Sequence, residues 1–248
     1  MITLYRPSGY DSPRASSFAG RSLDDKPLDV ENGSSFKEID TGRIFRYDKE
    51  NNLWIEQKST TGGAGATEPY IEETYDADGN LIGAKMYGYT KIRDHLFAKC
   101  SNLVLTSLPD GITSIGEGAF FGCINLALTS LPEGLTSIGI QAFFECTNLA
   151  LTSLPESLTS IGAYAFTGCS NLALTSLPES LTSIGADAFT GCISLTSITF
   201  KGTPTSIGDN AFDGCTNLTD IKVPWAKGAV SGAPWGATNA TITYNYTE

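Results

Sequence analysis

Between Lys99 and Lys201 the chain has no lysine, arginine or histidine. The same stretch holds seven acids: Asp110, Glu117, Glu133, Glu145, Glu156, Glu179 and Asp187. Such a surface cannot neutralise phosphates, so nucleic acid is excluded as a partner and anionic lipid is disfavoured. Histidine is nearly absent throughout, with His95 the only one in 248 residues. A serine–histidine–aspartate arrangement thus has one candidate base, and a zinc site one candidate imidazole. No apolar run approaches the ~20 residues of a spanning helix, so no membrane insertion is expected. The start, Met1-Ile-Thr-Leu-Tyr-Arg-Pro, lacks the basic-then-apolar order of a signal peptide. A chain beginning there is expected to be made and folded in the cytoplasm. The six cysteines include no C-x-x-C pair. What is present is a 41 % apolar composition with a formal net charge of −11, enough for one or two globular domains.

The cysteines are the first sign of order. Cys100, Cys123, Cys146, Cys169, Cys192 and Cys215 are each 23 residues apart. Three more columns keep that step: Ile92 to Ile207, Phe97 to Phe212 and Leu103 to Leu218. Columns this regular define a repeat over 92–222 with an atypical first copy. In one unit, Ile161, Ala165, Phe166 and Cys169 fall at i, i+4, i+5 and i+8, the face of a short helical turn. Leu149 to Leu154 has strand-like spacing and ends at Pro155, which cannot continue a ladder. A second extended piece, Leu158 to Ile161, precedes Gly162. Each unit is one coil with one apolar edge, and coils stacked at ~4.8 Å make a continuous core. The expected fold is therefore an α+β solenoid, each coil a short strand plus a short helical turn. Phe120, Phe143, Phe166, Phe189 and Phe212 fill its interior. The cysteines face inward as a line of buried free thiols rather than as disulfides or metal ligands. The fifth unit moves its proline to Pro204 and alternates Leu195, Ile198 and Phe200, which predicts a different strand there.

The string L-T-S-I-G-x-x-A-F-x-G-C, seen as Leu158 to Cys169 and Leu181 to Cys192, resembles the BspA-type bacterial leucine-rich repeat. The resemblance implies a curved solenoid and, through the family's best-known members, adhesion at a bacterial surface. The flanks resemble something else. Asn32 to Glu56 looks like a small N-terminal module in structural proteins of phages and prophages of Gram-positive bacteria. Val223-Pro-Trp225-Ala and Ala233-Pro-Trp235 through Ile242 resemble the tail of repeat proteins from that context. Together these imply a non-enzymatic binding or adhesion scaffold associated with a virion, found there or in the cytoplasm before lysis. The alternative is a BspA-type surface adhesin or interaction protein with no phage role.

Read physically, residues 1–58 divide into an arm (1–31), ordered on a partner or a second subunit, and a small β module. In that module Ile44 to Tyr47 and Leu53 to Glu56 make a hairpin around a polar loop. Homo-oligomers would form through this part. Residues 59–69 read as a flexible linker. Residues 70–91 hold a hairpin with an Asp78-Gly79 turn, placed where a solenoid needs its first coil covered. Residues 223–248 hold a final strand, 241–246, which closes the other end with Trp225 and Trp235.

No arrangement of residues supports catalysis, and neither a cofactor nor a metal is expected. His95 shares a variable column with Gly118, Gln141, Tyr164, Asp187 and Asn210, which reads as surface. Glu133, Glu156 and Glu179 follow the prolines as turn residues on a solvated edge. Asp76, Asp78 and Asn80 resemble part of a calcium loop, but the glycine comes too early and the closing glutamate is missing. The threonine and serine ladders read as strand surface. Breaks in the repeat are more informative. Phe121 and Phe144 stand in a column that elsewhere holds Thr167, Thr190 and Asp213, and Tyr164 points near the same edge. An aromatic cluster beside acids suits a protein or a neutral glycan on a host surface.

If inside and outside are assigned correctly, Phe166→Ala should cost about 3–5 kcal/mol. Tyr164→Ala should cost less than about 1 kcal/mol. Urea unfolding measures both, and equal losses would show the columns to be misassigned.

Overall fold

The computed structural model describes residues 69–247 and, before them, the backbone of five strands. The chain divides into two compact units, 1–89 and 90–248.

The first unit is a seven-stranded sheet. Its strands are β1 (Thr3–Tyr5), β2 (Ser17–Gly20), β3 (Ser35–Glu38), β4 (Ile44–Asp48), β5 (Leu53–Gln57), β6 (Tyr70–Tyr75) and β7 (Leu81–Tyr87), in the spatial order β5-β4-β3-β2-β1-β6-β7. The expected β4–β5 hairpin pairs Asp48 with Leu53, and its loop beyond Asp48 lies outside the described residues. So does the expected linker, apart from Pro69. Strands β1 and β2 fall within the stretch expected as an arm. The β6–β7 hairpin, expected as a cap, adds to this sheet through β1. In its turn Asp76 Oδ1 accepts the N–H of Asp78 and Asn80 at 3.0 and 2.8 Å, and Oδ2 accepts Asn80 Nδ2 at 2.9 Å. The carboxylate that resembled a calcium ligand is the acceptor that shapes the turn.

The second unit contributes β8 (Lys91–Ile92), β9 (Ser114–Ile115), β10 (Ser137–Ile138), β11 (Ser160–Ile161), β12 (Ser176–Leu177), β13 (Ser183–Ile184), β14 (Ser197–Phe200), β15 (Ser206–Ile207), β16 (Asp220–Lys222) and β17 (Thr241–Thr243). Isoleucine pairs with isoleucine from β8 through β9, β10, β11 and β13 to β15, always parallel, and serine with serine from β9 onward, Lys91 standing opposite Ser114 in the first pair. Six coils in this register are followed by a shorter seventh, in which Trp235 O accepts the N–H of Phe212 at 2.9 Å and Thr241 N donates to Thr219 O at 2.8 Å. The second unit is a repeat solenoid.

Two details differ from the sequence expectation. No helix occurs among the described residues. Where a helical turn was expected, left-handed backbone recurs at two positions four apart, for example Tyr164 (φ 59°) and Gly168 (φ 75°). A right-handed helix cannot continue through such residues. Alternate N–H groups instead take different partners. Ala165, Thr167 and Cys169 donate within their own coil, to Gly162, Tyr164 and Phe166 at 3.0–3.3 Å. Tyr164, Phe166 and Gly168 donate to the next coil, to Ala186, Ala188 and Thr190 at 2.8–2.9 Å. Side-chain spacing imitates a helical face, while the backbone is a chain of tight turns stitched to its neighbour.

The second difference concerns strands. The regular pairing lies in the Thr-Ser-Ile piece, not in the leucine-rich piece. Leu149, Leu151 and Leu154 are all buried, but the step from 151 to 154 breaks a period of two, so a flat ladder cannot run through it. Where the inward residues become Ile198 and Phe200, and then Ile221 and Val223, the period holds. There β12, β14, β16 and β17 form a parallel sheet.

The core follows from the stacking. The rings of Phe97, Phe120, Phe143, Phe166, Phe189 and Phe212 lie in a file with centroids 5.3–5.4 Å apart. All six are buried, each contributing roughly 1.5–3 kcal/mol of burial. At the C-terminal end Phe200, Trp225 and Trp235 pack edge-on or tilted and cover the last coil's apolar side.

Coils can approach this closely only because one column lacks side chains. A Cβ on Gly162 would meet Ile140 N at 2.5 Å and Gly139 C at 2.6 Å, and one on Gly185 would meet Ala163 N at 2.3 Å. Gly162→Ala should therefore destabilise by about 1–3 kcal/mol or more. Gly134→Ala, whose nearest neighbour would stand at 4.0 Å, should be neutral or slightly stabilising. Equal shifts of the two urea midpoints would remove the close-approach explanation.

Candidate functional site

The turn segments form one edge of the solenoid, and the binding candidates stand on it. Because the N–H of Gly122 donates to Phe144 O and that of Gly118 to Ile140 O, both at 2.8 Å, coils two and three are held in fixed register. That register stacks Phe121 on Phe144 with centroids 5.0 Å apart and planes 5° from parallel. Both rings are half-buried. Tyr164 is on the next coil and is 41 % exposed. Among the described residues no ring contact joins it to the pair. Ile140, which sequence reasoning missed, is 47 % exposed on the same edge. The signal for it was available: its column reads Asp94, Glu117, Ile140, Ala163, Ala186 and Asp209, with one large apolar residue among acids and alanines.

The variable column has a different cause from the one expected. His95, Gln141, Tyr164, Asp187 and Asn210 all have φ between 54° and 59°, and Gly118 has 54°. What these residues share is left-handed backbone; His95 and Tyr164 are exposed, but Gln141 and Asp187 are half-buried and Gly118 is buried. Glu133, Glu156 and Glu179 are exposed on another edge, and Lys201 reaches Glu156. Ser137, Ser160 and Ser183 lie in the parallel sheet. In the neighbouring column Thr136, Thr159 and Thr182 each donate Oγ1 to the preceding coil's threonine carbonyl at 2.9 Å. Those hydroxyls hold coils together. Among the described residues no group of three histidine, cysteine or acidic side chains is placed to hold a metal.

The BspA-type leucine-rich repeat model matches residues 90–225 in six copies. The chain belongs to the BspA-type leucine-rich-repeat family. No curated protein matches it. Among solved structures it is similar to a leucine-rich-repeat protein of Treponema pallidum, with 30 % identity over 62 % of this chain and 81 % of that one, at a TM-score of 0.48. A leucine-rich cell surface protein of Faecalibacterium prausnitzii is 27 % identical over 80 % of this chain and 55 % of that one, at a TM-score of 0.43. The pneumococcal vaccine antigen PcpA is 24 % identical over 64 % of this chain and 37 % of that one, at 0.45.

In this BspA-type solenoid the cysteine column is structural. Cys123, Cys146, Cys169, Cys192 and Cys215 are buried free thiols, and Cys100, in the first coil, is half-buried. Each of the five donates its S–H to the phenylalanine carbonyl of the preceding coil. The distance is 2.9 Å for Cys123 to Phe97 and 3.0–3.1 Å for the others. Burial pushes Cys123 up to about 12 and Cys215 up to about 11 from the ordinary 9.0. Cys146, Cys169 and Cys192 are raised further by burial, with the next thiol in the file adding to it. A thiolate is the reactive form, so these groups are inert in the folded state.

The folded values lie above the unfolded one, so the unfolded chain loses its thiol protons first as pH rises. Stability from this source is complete below pH ~9 and falls above it, by about 1.4 kcal/mol per pH unit for each thiol until that thiol's folded value is reached. Urea midpoints should drop steeply above pH 9, and less steeply in Cys146→Ala. Identical slopes for the two proteins would refute a buried protonated thiol.

Proposed function

We propose that this chain is a non-enzymatic leucine-rich-repeat scaffold that binds a protein partner through the turn edge at Phe121, Ile140, Phe144 and Tyr164. The observation that carries this reading is the stacked Phe121–Phe144 pair, with Ile140 and Tyr164 exposed beside it, on an edge where the repeat otherwise places small or polar residues. Exposed apolar side chains grouped on a polar surface mark interaction sites. The geometry favours protein over neutral glycan. A sugar packs its C–H face on an open ring face, and here the inner faces of Phe121 and Phe144 cover each other. Stacking takes one face of each ring away from a ligand, which favours aliphatic or aromatic side chains over a sugar face.

We propose a virion as the vehicle, a reading that rests on the resemblance of the flanking sequences at residues 32–56 and 223–242 alone and to which the repeat family, matched over residues 90–225, adds nothing. A bacterial surface adhesin is the second reading, supported by the BspA-type repeat itself. Secretion of the native product by intact cells would decide for the adhesin.

The test is binding of fluorescent full-length chain to a panel of bacterial cells. The expected result is binding that is abolished by protease treatment of the cells, survives periodate, and is lost in Phe121→Ser/Phe144→Ser/Tyr164→Ser. Unchanged binding by the triple variant would move the site elsewhere on the molecule. Loss on periodate treatment alone would make the ligand a glycan.

A further inference from the structure

Along the binding edge the residues change from acidic to apolar and back. The column through Ile140 begins with Asp94 and Glu117 and ends with Asp209. The column through Tyr164 continues to Asp187, and that through Phe121 and Phe144 ends at Asp213. Glu145 follows Phe144 directly and is exposed, as is Glu117. The apolar strip therefore has carboxylates at both ends and one at its side. Among the described residues Glu117, Glu145 and Asp187 take part in no ion pair. Lys99 stands on the solenoid's first coil, one coil before Phe121, and no further lysine or arginine follows until Lys201. Glu117 and Glu145 face water, Asp187 is half-buried and accepts a hydrogen bond from Thr190 Oγ1 at 3.4 Å, and no cationic side chain on the solenoid's central coils neutralises any of the three.

We infer that this edge docks a cationic, amphipathic segment of a protein partner, one that lays apolar side chains on Phe121, Ile140, Phe144 and Tyr164 and sets lysines or arginines against Glu117, Glu145 and Asp187. The inference rests on the protein-binding reading above and adds the chemistry of the partner. Unpaired acids around an apolar centre repel acidic partners and steer basic ones, because rim charges act on encounter and selection while the apolar centre supplies most of the affinity. The spacing adds a constraint. Successive coils are about 4.8 Å apart, whereas residues two apart along an extended strand are separated by roughly 6.8 Å. An extended segment crossing the coils thus cannot keep register with them for long, and a short segment with two or three apolar anchors fits this strip.

The experiment is selection of a random-peptide display library on the immobilised full-length chain. Enriched peptides are then titrated against three proteins: the native chain, the Phe121→Ser/Phe144→Ser/Tyr164→Ser variant, and the Glu117→Gln/Glu145→Gln/Asp187→Asn variant. Thermal melts confirm that both variants are folded. Enriched peptides should carry net positive charge with aromatic or aliphatic residues between the cations. The apolar variant should abolish their binding. The charge variant should weaken it by about tenfold and flatten its dependence on salt. Neutral or acidic peptides that need the apolar strip but ignore the charge variant would overturn this inference and leave the proposed function standing. Failure of any peptide to depend on the strip would overturn both.

Discussion

The structure depends on one constraint, the short distance between neighbouring coils along the turn segment. There every second N–H leaves its own coil and bonds to the next, as Tyr164, Phe166 and Gly168 do at 2.8–2.9 Å. Buried backbone donors must be satisfied, and this alternation satisfies them without a helix or a wide sheet. It requires left-handed backbone at two places per coil, and it requires the glycine column, since a Cβ on Gly162 would stand 2.5 Å from Ile140 N. The phenylalanine file follows from it: rings in successive coils have nowhere to go but face to face at 5.3–5.4 Å. So does the thiol file, because the residue three after each phenylalanine points inward with a carbonyl of the preceding coil at 2.9–3.1 Å. A small, weak donor fits that place, and a larger apolar side chain would have to displace the next coil.

This explains what the sequence disclosed and what it concealed. Period, register and inside columns were legible, because identical residues at identical places must meet identical neighbours when coils stack. Ile161, Phe166 and Cys169 belong to such columns, and all three are buried. The conformation between them was not legible from apolar spacing, since Ile161, Ala165, Phe166 and Cys169 fit a helical face as well as a run of tight turns. The glycines held the missing information. Gly118, Gly122, Gly168, Gly191 and Gly214 recur four apart within a coil or 23 apart between coils, inside a stretch read as helical. Glycine there costs a helix about 1 kcal/mol and costs a left-handed turn nothing. The strand was misplaced for a related reason. Leu149, Leu151 and Leu154 alternate for one step and then fail, and the chain builds its regular ladder at Ser160–Ile161 instead.

The candidate site was legible in part. Phe121, Phe144 and Tyr164 stood out as departures from their columns, and the first two do stack. Ile140 passed unnoticed because isoleucine is also a core residue elsewhere in each coil. Its column differs from that of Ile138 by two positions, enough to turn it from the interior to solvent. Exposure in a solenoid is a property of the column, so one residue gains meaning only against its five counterparts.

Tyr164 stands apart within its column. It has φ 59°, a conformation in which a bulky side chain costs roughly 1–2 kcal/mol relative to right-handed backbone and glycine costs nothing. Its column shows cheaper solutions, namely Gly118, Asp187 and Asn210, of which asparagine and aspartate tolerate left-handed backbone best. Tyr164 is exposed, so core packing does not offset the strain, and no aromatic neighbour among the described residues stacks on it. His95 and Gln141 share that backbone, and under the proposed function the exposed Tyr164 is accounted for by a contact outside the fold. The core columns are fixed by stacking, and the glycine and left-handed columns by backbone approach. Freedom to contact a partner is left to the outward columns of the turn edge, where the acids and the apolar strip meet.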